Sequence, residues 1–193
     1  MHVVDAFLLS FAVIFVAELG DKSQLMALAF ATRYRWPAVL LGISIATLFV
    51  HAGSVLLGSV VALALPTRVI SVLAGVAFFV FAAWTLRGDA LGAADEARAR
   101  RSAGSVVLAV GVAFFLAELG DKTMLATITL ATTQDPIGTW LGSTAGMVVA
   151  DAIAIGIGAV LGTRLPERAI RIGAALSFVV FGAILVAQGL GLL

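Results

Sequence analysis

The sequence predicts an all-α membrane protein: six transmembrane helices arranged as two inverted three-helix repeats. Three observations lead there. First, 62% of the 193 residues are hydrophobic and 12% charged, with a mean hydropathy of +1.14, whereas a soluble domain carries about 25% charge. Second, the apolar sequence falls into six stretches, roughly 4–32, 37–64, 69–86, 104–132, 138–162 and 170–190, each near the ~20 residues a bilayer-crossing helix needs. Third, the chain repeats itself at an offset of one hundred: Gly42 matches Gly142, Gly58 matches Gly158, and Leu65-Pro66 matches Leu165-Pro166. An odd number of spans in each half turns the second copy upside down relative to the first.

The boundaries follow from punctuation. Pro37, Pro66, Pro136 and Pro166 all fall near proposed span ends, as expected of a residue that begins or interrupts helices. Residues 87–103 form the one sizeable hydrophilic stretch, so the chain reads as a first repeat (1–86), a linker (87–103) and a second repeat (104–193). Taking the loops alternately, one side collects Arg33, Arg35, Arg87, Arg98, Arg100, Arg101, Arg164, Arg168 and Arg171, and the other only Arg68. The positive-inside rule places the first side, linker included, in the cytoplasm and both termini outside. No basic signal-peptide segment precedes the first span, which is expected to direct insertion itself. The glycine series Gly42, Gly53, Gly58, Gly142, Gly146, Gly156, Gly158 and Gly162 suggests close helix packing. Phe78, Phe81, Phe178 and Phe181 read as lipid-facing or core bulk, and Asp5 as interfacial.

Composition also excludes. A net charge of +1 without a basic cluster gives no reason to expect nucleic acid, and the absence of cysteine removes disulfides, thiolate ligands and thiol nucleophiles together. With two histidines and no Ser/His/Asp set outside the motif described next, no enzyme is expected, an intramembrane metal-dependent hydrolase included.

The chemistry lies in Glu18-Leu-Gly-Asp21-Lys22-Ser23 and its second copy, Glu118-Leu-Gly-Asp121-Lys122-Thr123. Carboxylates at membrane depth cost several kcal/mol and mark functional sites or buried pairs. On a continuous helix Glu18 and Asp21 share one face, and Lys22 stands at the ion-pairing distance of four from Glu18. Gly20 permits close approach or local unwinding, which would free carbonyls as ligands. Ser23, Thr123 and Gln24 add polar groups, with Met124 in the place of Gln24. Each motif carries two acids and one base, so two facing copies hold a net charge of −2 when ionised. Asp151 in the fifth span adds another acid, and its repeat-mate is His51 in the second. Such a site suits a divalent cation, and oxygen ligands select Ca²⁺, Mg²⁺ or Mn²⁺ over soft metals. Metal and protons compete for the same carboxylates, the physical basis of exchange. The duller reading is a structural ion-pair knot. Lys22 and Lys122 read as charge-balancing groups, and His51 and Asp151 as a proton relay or secondary ligands.

The doubled Glu-x-Gly-Asp-Lys/Arg-Ser/Thr motif, one copy per half, resembles uncharacterised protein family sixteen, the Gdt-one-type transporters, across all six spans. The resemblance implies transport of Mn²⁺ and Ca²⁺ in exchange for protons. It maps the family's acids onto Glu18, Asp21, Glu118 and Asp121, and its hydroxyl positions onto Ser23 and Thr123. The short linker is similar to bacterial members and implies Mn²⁺ export across a bacterial plasma membrane. No bound cofactor is expected: the metal ion is cargo, the partners are cation, protons and bilayer, and a homo-oligomer is compatible with the reading. The rival is an exporter of a small cationic organic solute such as a basic amino acid.

Overall fold

The computed structural model describes residues 2–87, 105–161 and 167–192. The linker expected over 87–103 lies outside the described residues beyond Arg87, as do Arg164, Pro166 and Gly162. Eight helices are described: α1 (Val3–Glu18), α2 (Lys22–Ala31), α3 (Trp36–Ala64), α4 (Thr67–Arg87), α5 (Val106–Glu118), α6 (Lys122–Ala131), α7 (Pro136–Leu161) and α8 (Glu167–Leu190). Pro37 sits in the first turn of α3 and Pro136 opens α7, where a missing N–H costs nothing.

Helices α3, α4 and residues Pro136–Ile157 of α7 are long and apolar enough to cross a bilayer, and α1 with α2 makes a further apolar span bent by 74°. Val106–Glu118 and Ala175–Leu190 are apolar but shorter. Phe49, Leu56, Val60 and Leu63 of α3 are exposed, and a surface this apolar belongs against hydrocarbon. The chain is an all-α integral membrane protein.

The first and fourth apolar stretches differ from continuous spans. Each is two helices meeting at a break, over Leu19-Gly20-Asp21 and over Leu119-Gly120-Asp121. Leu19 and Leu119 leave the helical region, and Gly20 and Gly120 take φ of +75° and +79°. Left-handed backbone is cheap only for glycine. Asp21 and Asp121 then start α2 and α6 as N-caps, a place aspartate favours because its oxygen can accept an orphan N–H. The one-face arrangement expected for Glu18 and Asp21 is therefore absent, since the helix ends between them.

Packing exchanges the halves. Helix α1 lies along α7 and α5 along α3, while α4 packs on α8 and α3 on α7. Contacts recur in mirrored pairs at the offset of one hundred. A Cβ added at Gly42 would stand 2.7 Å from the Val107 carbonyl, and one at Gly142 2.3 Å from the carbonyl of Phe7, the repeat-mate of Val107. Phe78 packs on its own mate Phe178 at 5.7 Å, with Phe81–Phe178 and Phe78–Phe181 as a mirrored pair. Thr47 donates to its mate Met147 across 3.5 Å. Mates that touch lie beside a pseudo-twofold axis. The phenylalanines are thus core, and Asp5 is exposed near the N-terminus.

The glycines divide. Gly42, Gly58, Gly142 and Gly146 are close-approach sites, whereas a Cβ at Gly53 or Gly156 would meet nothing within 4 Å, so packing does not account for those two. Three alanine variants follow, each read as thermal unfolding of detergent-purified protein. Gly142→Ala drives a methyl into the Phe7 backbone and lowers the midpoint most. Gly120→Ala costs about 1–2 kcal/mol through its left-handed backbone. Gly53→Ala is neutral or stabilising by up to about 1 kcal/mol. Equal midpoints for Gly142→Ala and Gly53→Ala would contradict this account of the packing.

Candidate functional site

The two breaks meet inside the protein. Glu18, Asp21, Glu118, Asp121 and Lys122 are all buried, and the lysines cross between the motifs. Lys22 Nζ lies 2.8 Å from Asp121 Oδ1, and Lys122 Nζ lies 3.0 Å from Asp21 Oδ1. The i to i+4 pairing of Lys22 with Glu18 does not form, because the bend at Gly20 carries Lys22 onto a new helix axis and toward the other half. Asp21 Oδ1 also accepts the Lys22 backbone N–H at 2.8 Å.

Hydroxyls hold the glutamates. Ser23 Oγ donates to Glu18 Oε1, and Thr123 Oγ1 donates to Glu118 Oε2 at 2.8 Å. Each hydroxyl reaches back across its break, so the motif's last residue fixes its first. Gln24 braces the first break, taking the Gly20 N–H on Oε1 at 2.8 Å and donating from Nε2 to the Ala150 carbonyl at 3.1 Å. Met124 offers only sulfur, 3.1 Å from the Gly120 N–H, and the symmetry is incomplete there.

Several carboxylate oxygens remain unused. Glu18 Oε2, Glu118 Oε1, Asp121 Oδ2 and both oxygens of Asp151 are buried without a hydrogen-bond partner among the described residues. Native structures rarely leave such atoms unpaired. Asp151 is fully buried and lies within electrostatic reach of Asp21, Glu18 and Glu118. His51 is also fully buried. Its Nδ1 lies 3.5 Å from Thr144 Oγ1, and its Nε2 has no partner among the described residues.

The fold thus gathers Glu18, Asp21, Glu118, Asp121, Lys22, Lys122, Ser23, Thr123 and Gln24, with Asp151 beside them. It does not hydrogen-bond His51 to any of these acids. Among the described residues no three His, Asp or Glu side chains stand ready as an ion cage, and the two ammonium groups occupy aspartate oxygens that such a cage would use. Sequence reasoning missed Thr139 and Ser143, which lie with Met147 and Asp151 on one fully buried stripe of α7. Their signal was present: polar residues four apart in an otherwise apolar span mark an inward face.

Comparison with known proteins identifies the family. The profile of the family described as "Divalent cation/proton antiporter GDT1" matches residues 6–93 and 106–192. A Vibrio cholerae protein named as a candidate manganese exporter is 35% identical over 173 residues, covering 88% of this chain and 84% of that protein. A Synechocystis GDT1-like protein is 30% identical over 202 residues, with 94% and 96% covered. The rice chloroplast GDT1-like protein 2 is 31% identical over 206 residues, and the match takes in 92% of this chain but 59% of the longer rice protein. No solved structure matches the chain. Nothing in these similarities supports the organic-solute rival. A doubled acidic motif, crossed ion pairs between two related halves and a profile match across both halves agree: the chain belongs to the GDT1 family of divalent cation/proton antiporters.

Proposed function

We propose that this protein exports Mn²⁺ from the cytoplasm in exchange for inward-moving protons, with Ca²⁺ as a second cargo. The cation site consists of Glu18, Asp21, Glu118 and Asp121. The observation that carries this reading is the set of buried carboxylate oxygens without partners where the two motifs meet. Buried acceptors of this kind require a cation or a proton, and all-oxygen ligands suit hard divalent ions. Ser23 and Thr123 hold the glutamates in place, Gln24 braces the first break, and Lys22 and Lys122 balance charge. Asp151, with His51 on the facing helix, carries protons or serves as a secondary ligand. The manganese assignment leans on the name of the Vibrio cholerae relative.

In this reading each broken helix pair counts as one span, giving six spans in two inverted halves. The linker faces the cytoplasm of a bacterial inner membrane and the termini face outward, as the arginine distribution favours. The cation is cargo, no resident cofactor is invoked, and the protein performs no covalent chemistry. Its half-helix ends at the motifs fit the general scheme in which broken helices meet a transported ion at a repeat interface.

Two measurements test the proposal. In a manganese-sensitive bacterial host, Glu118→Gln and Asp121→Asn are expected to abolish most of the resistance that the native protein confers, at equal membrane abundance. Full resistance from either variant would refute the site. In proteoliposomes, acidifying the side opposite Mn²⁺ should accelerate its movement toward the acid side, and reversing the gradient should slow it. Flux indifferent to the pH gradient would rule out proton exchange.

A further inference from the structure

Lys22 and Lys122 are the only lysines in the chain, and every other strongly basic side chain is arginine. Both occupy the motifs, and both reach across to the aspartate of the opposite half, at 2.8 and 3.0 Å. We propose that these lysines are tethered stand-ins for the divalent cation. In the empty protein each ammonium occupies one aspartate, and a single divalent ion entering the site displaces both. This inference rests on the cation-site reading given above and adds the residues that compete with the cargo.

Four observations converge on it. The charge balances, because two ammonium groups carry the same +2 as one divalent ion. A monovalent cation can replace only one of them, so the crossed pairs also select against monovalent ions. The chemistry matches as well: lysine presents a compact point charge on a flexible stem, whereas arginine would lock a carboxylate through two parallel hydrogen bonds. At both positions this chain has lysine, whose single ammonium can leave and return without breaking a two-bond clamp. The first ammonium displaced has somewhere to go, since the Lys22 side chain is already 22% exposed. Finally, among the described residues no three His, Asp or Glu side chains stand ready to hold a metal ion, and both aspartates are paired with lysine.

The geometry also orders the exchange. The Lys22 side chain is 22% exposed and the Lys122 side chain 4%. Lys22 is therefore the first to be displaced, and Asp121 the first aspartate that an incoming ion meets.

The test uses full-length protein with Mn²⁺ as the probe. Because the chain has only two lysines, reductive methylation read by mass spectrometry reports both without interference from other side-chain amines. Adding Mn²⁺ to the wild-type protein should raise the methylation rate of Lys22 severalfold as its ammonium is released. An unchanged or reduced rate would overturn the inference. A role limited to long-range charge balance would not produce the increase. In parallel, Lys22→Gln should bind Mn²⁺ about tenfold more tightly, become sensitive to competition by K⁺, and exchange more slowly in proteoliposomes. Unchanged or weaker binding by folded Lys22→Gln would also overturn it. If that variant does not fold, the wild-type methylation result decides alone. Wild-type protein that binds no Mn²⁺ would sink the cation site itself, whereas a wild type that binds without releasing Lys22 would sink only the lysine assignment.

Discussion

The structure hangs on two crossed ion pairs, Lys22 with Asp121 and Lys122 with Asp21. Neither pair is local: each joins a broken helix of one half to the broken helix of the other. Removing one partner of a buried pair costs about 3–5 kcal/mol, because the charge left behind has no solvent. Replacing a whole pair with apolar groups is often neutral, so burial alone does not explain why charges are kept there. Their retention fits a role in which the ions are exchanged.

The backbone makes the crossing available. A left-handed glycine ends α1 and α5, and the following aspartate starts a new helix in a new direction. The break exposes an acidic cap and a lysine to the opposite half while the glutamate stays on the first helix, held by the hydroxyl of Ser23 or Thr123. Glycines at the crossings of α1 with α7 and α3 with α5 bring the halves near enough for those short side chains to meet. Close packing by small residues is the usual route to helix association where lipid supplies no hydrophobic driving force. Glycine-lined crossings surround a site built on broken, polar segments.

Much of this was legible in the sequence. Apolar composition gave the class, the offset of one hundred gave the two halves, and glycine beside acid in each motif marked the place of unwinding. Carboxylates in hydrocarbon identified Glu18, Asp21, Glu118, Asp121 and Asp151 as residues that need a reason. The lysine partners were not legible. Helical spacing assigns Lys22 to Glu18 only if the helix continues, and a single positive φ at Gly20 redirects it to Asp121. Spans read as continuous apolar runs also hid how far the chain turns at the first break, 74°, because hydropathy does not register a change of axis. The bond from Gln24 to the Ala150 carbonyl depends on tertiary placement that no local pattern encodes. The buried stripe of Thr139, Ser143 and Asp151 was readable from its spacing, and its neighbour Thr144 beside His51 required the packed structure.

In the proposed mechanism one cation binds among Glu18, Asp21, Glu118 and Asp121, where the two breaks meet. Anomalous diffraction from crystals grown with Mn²⁺ tests it most directly, since the metal's scattering locates it independently of the protein. One strong anomalous peak is expected within coordinating distance of Asp21 and Asp121, with both lysine ammoniums withdrawn from those aspartates. A peak elsewhere in the molecule, or lysines still paired with the aspartates beside a bound ion, would contradict it.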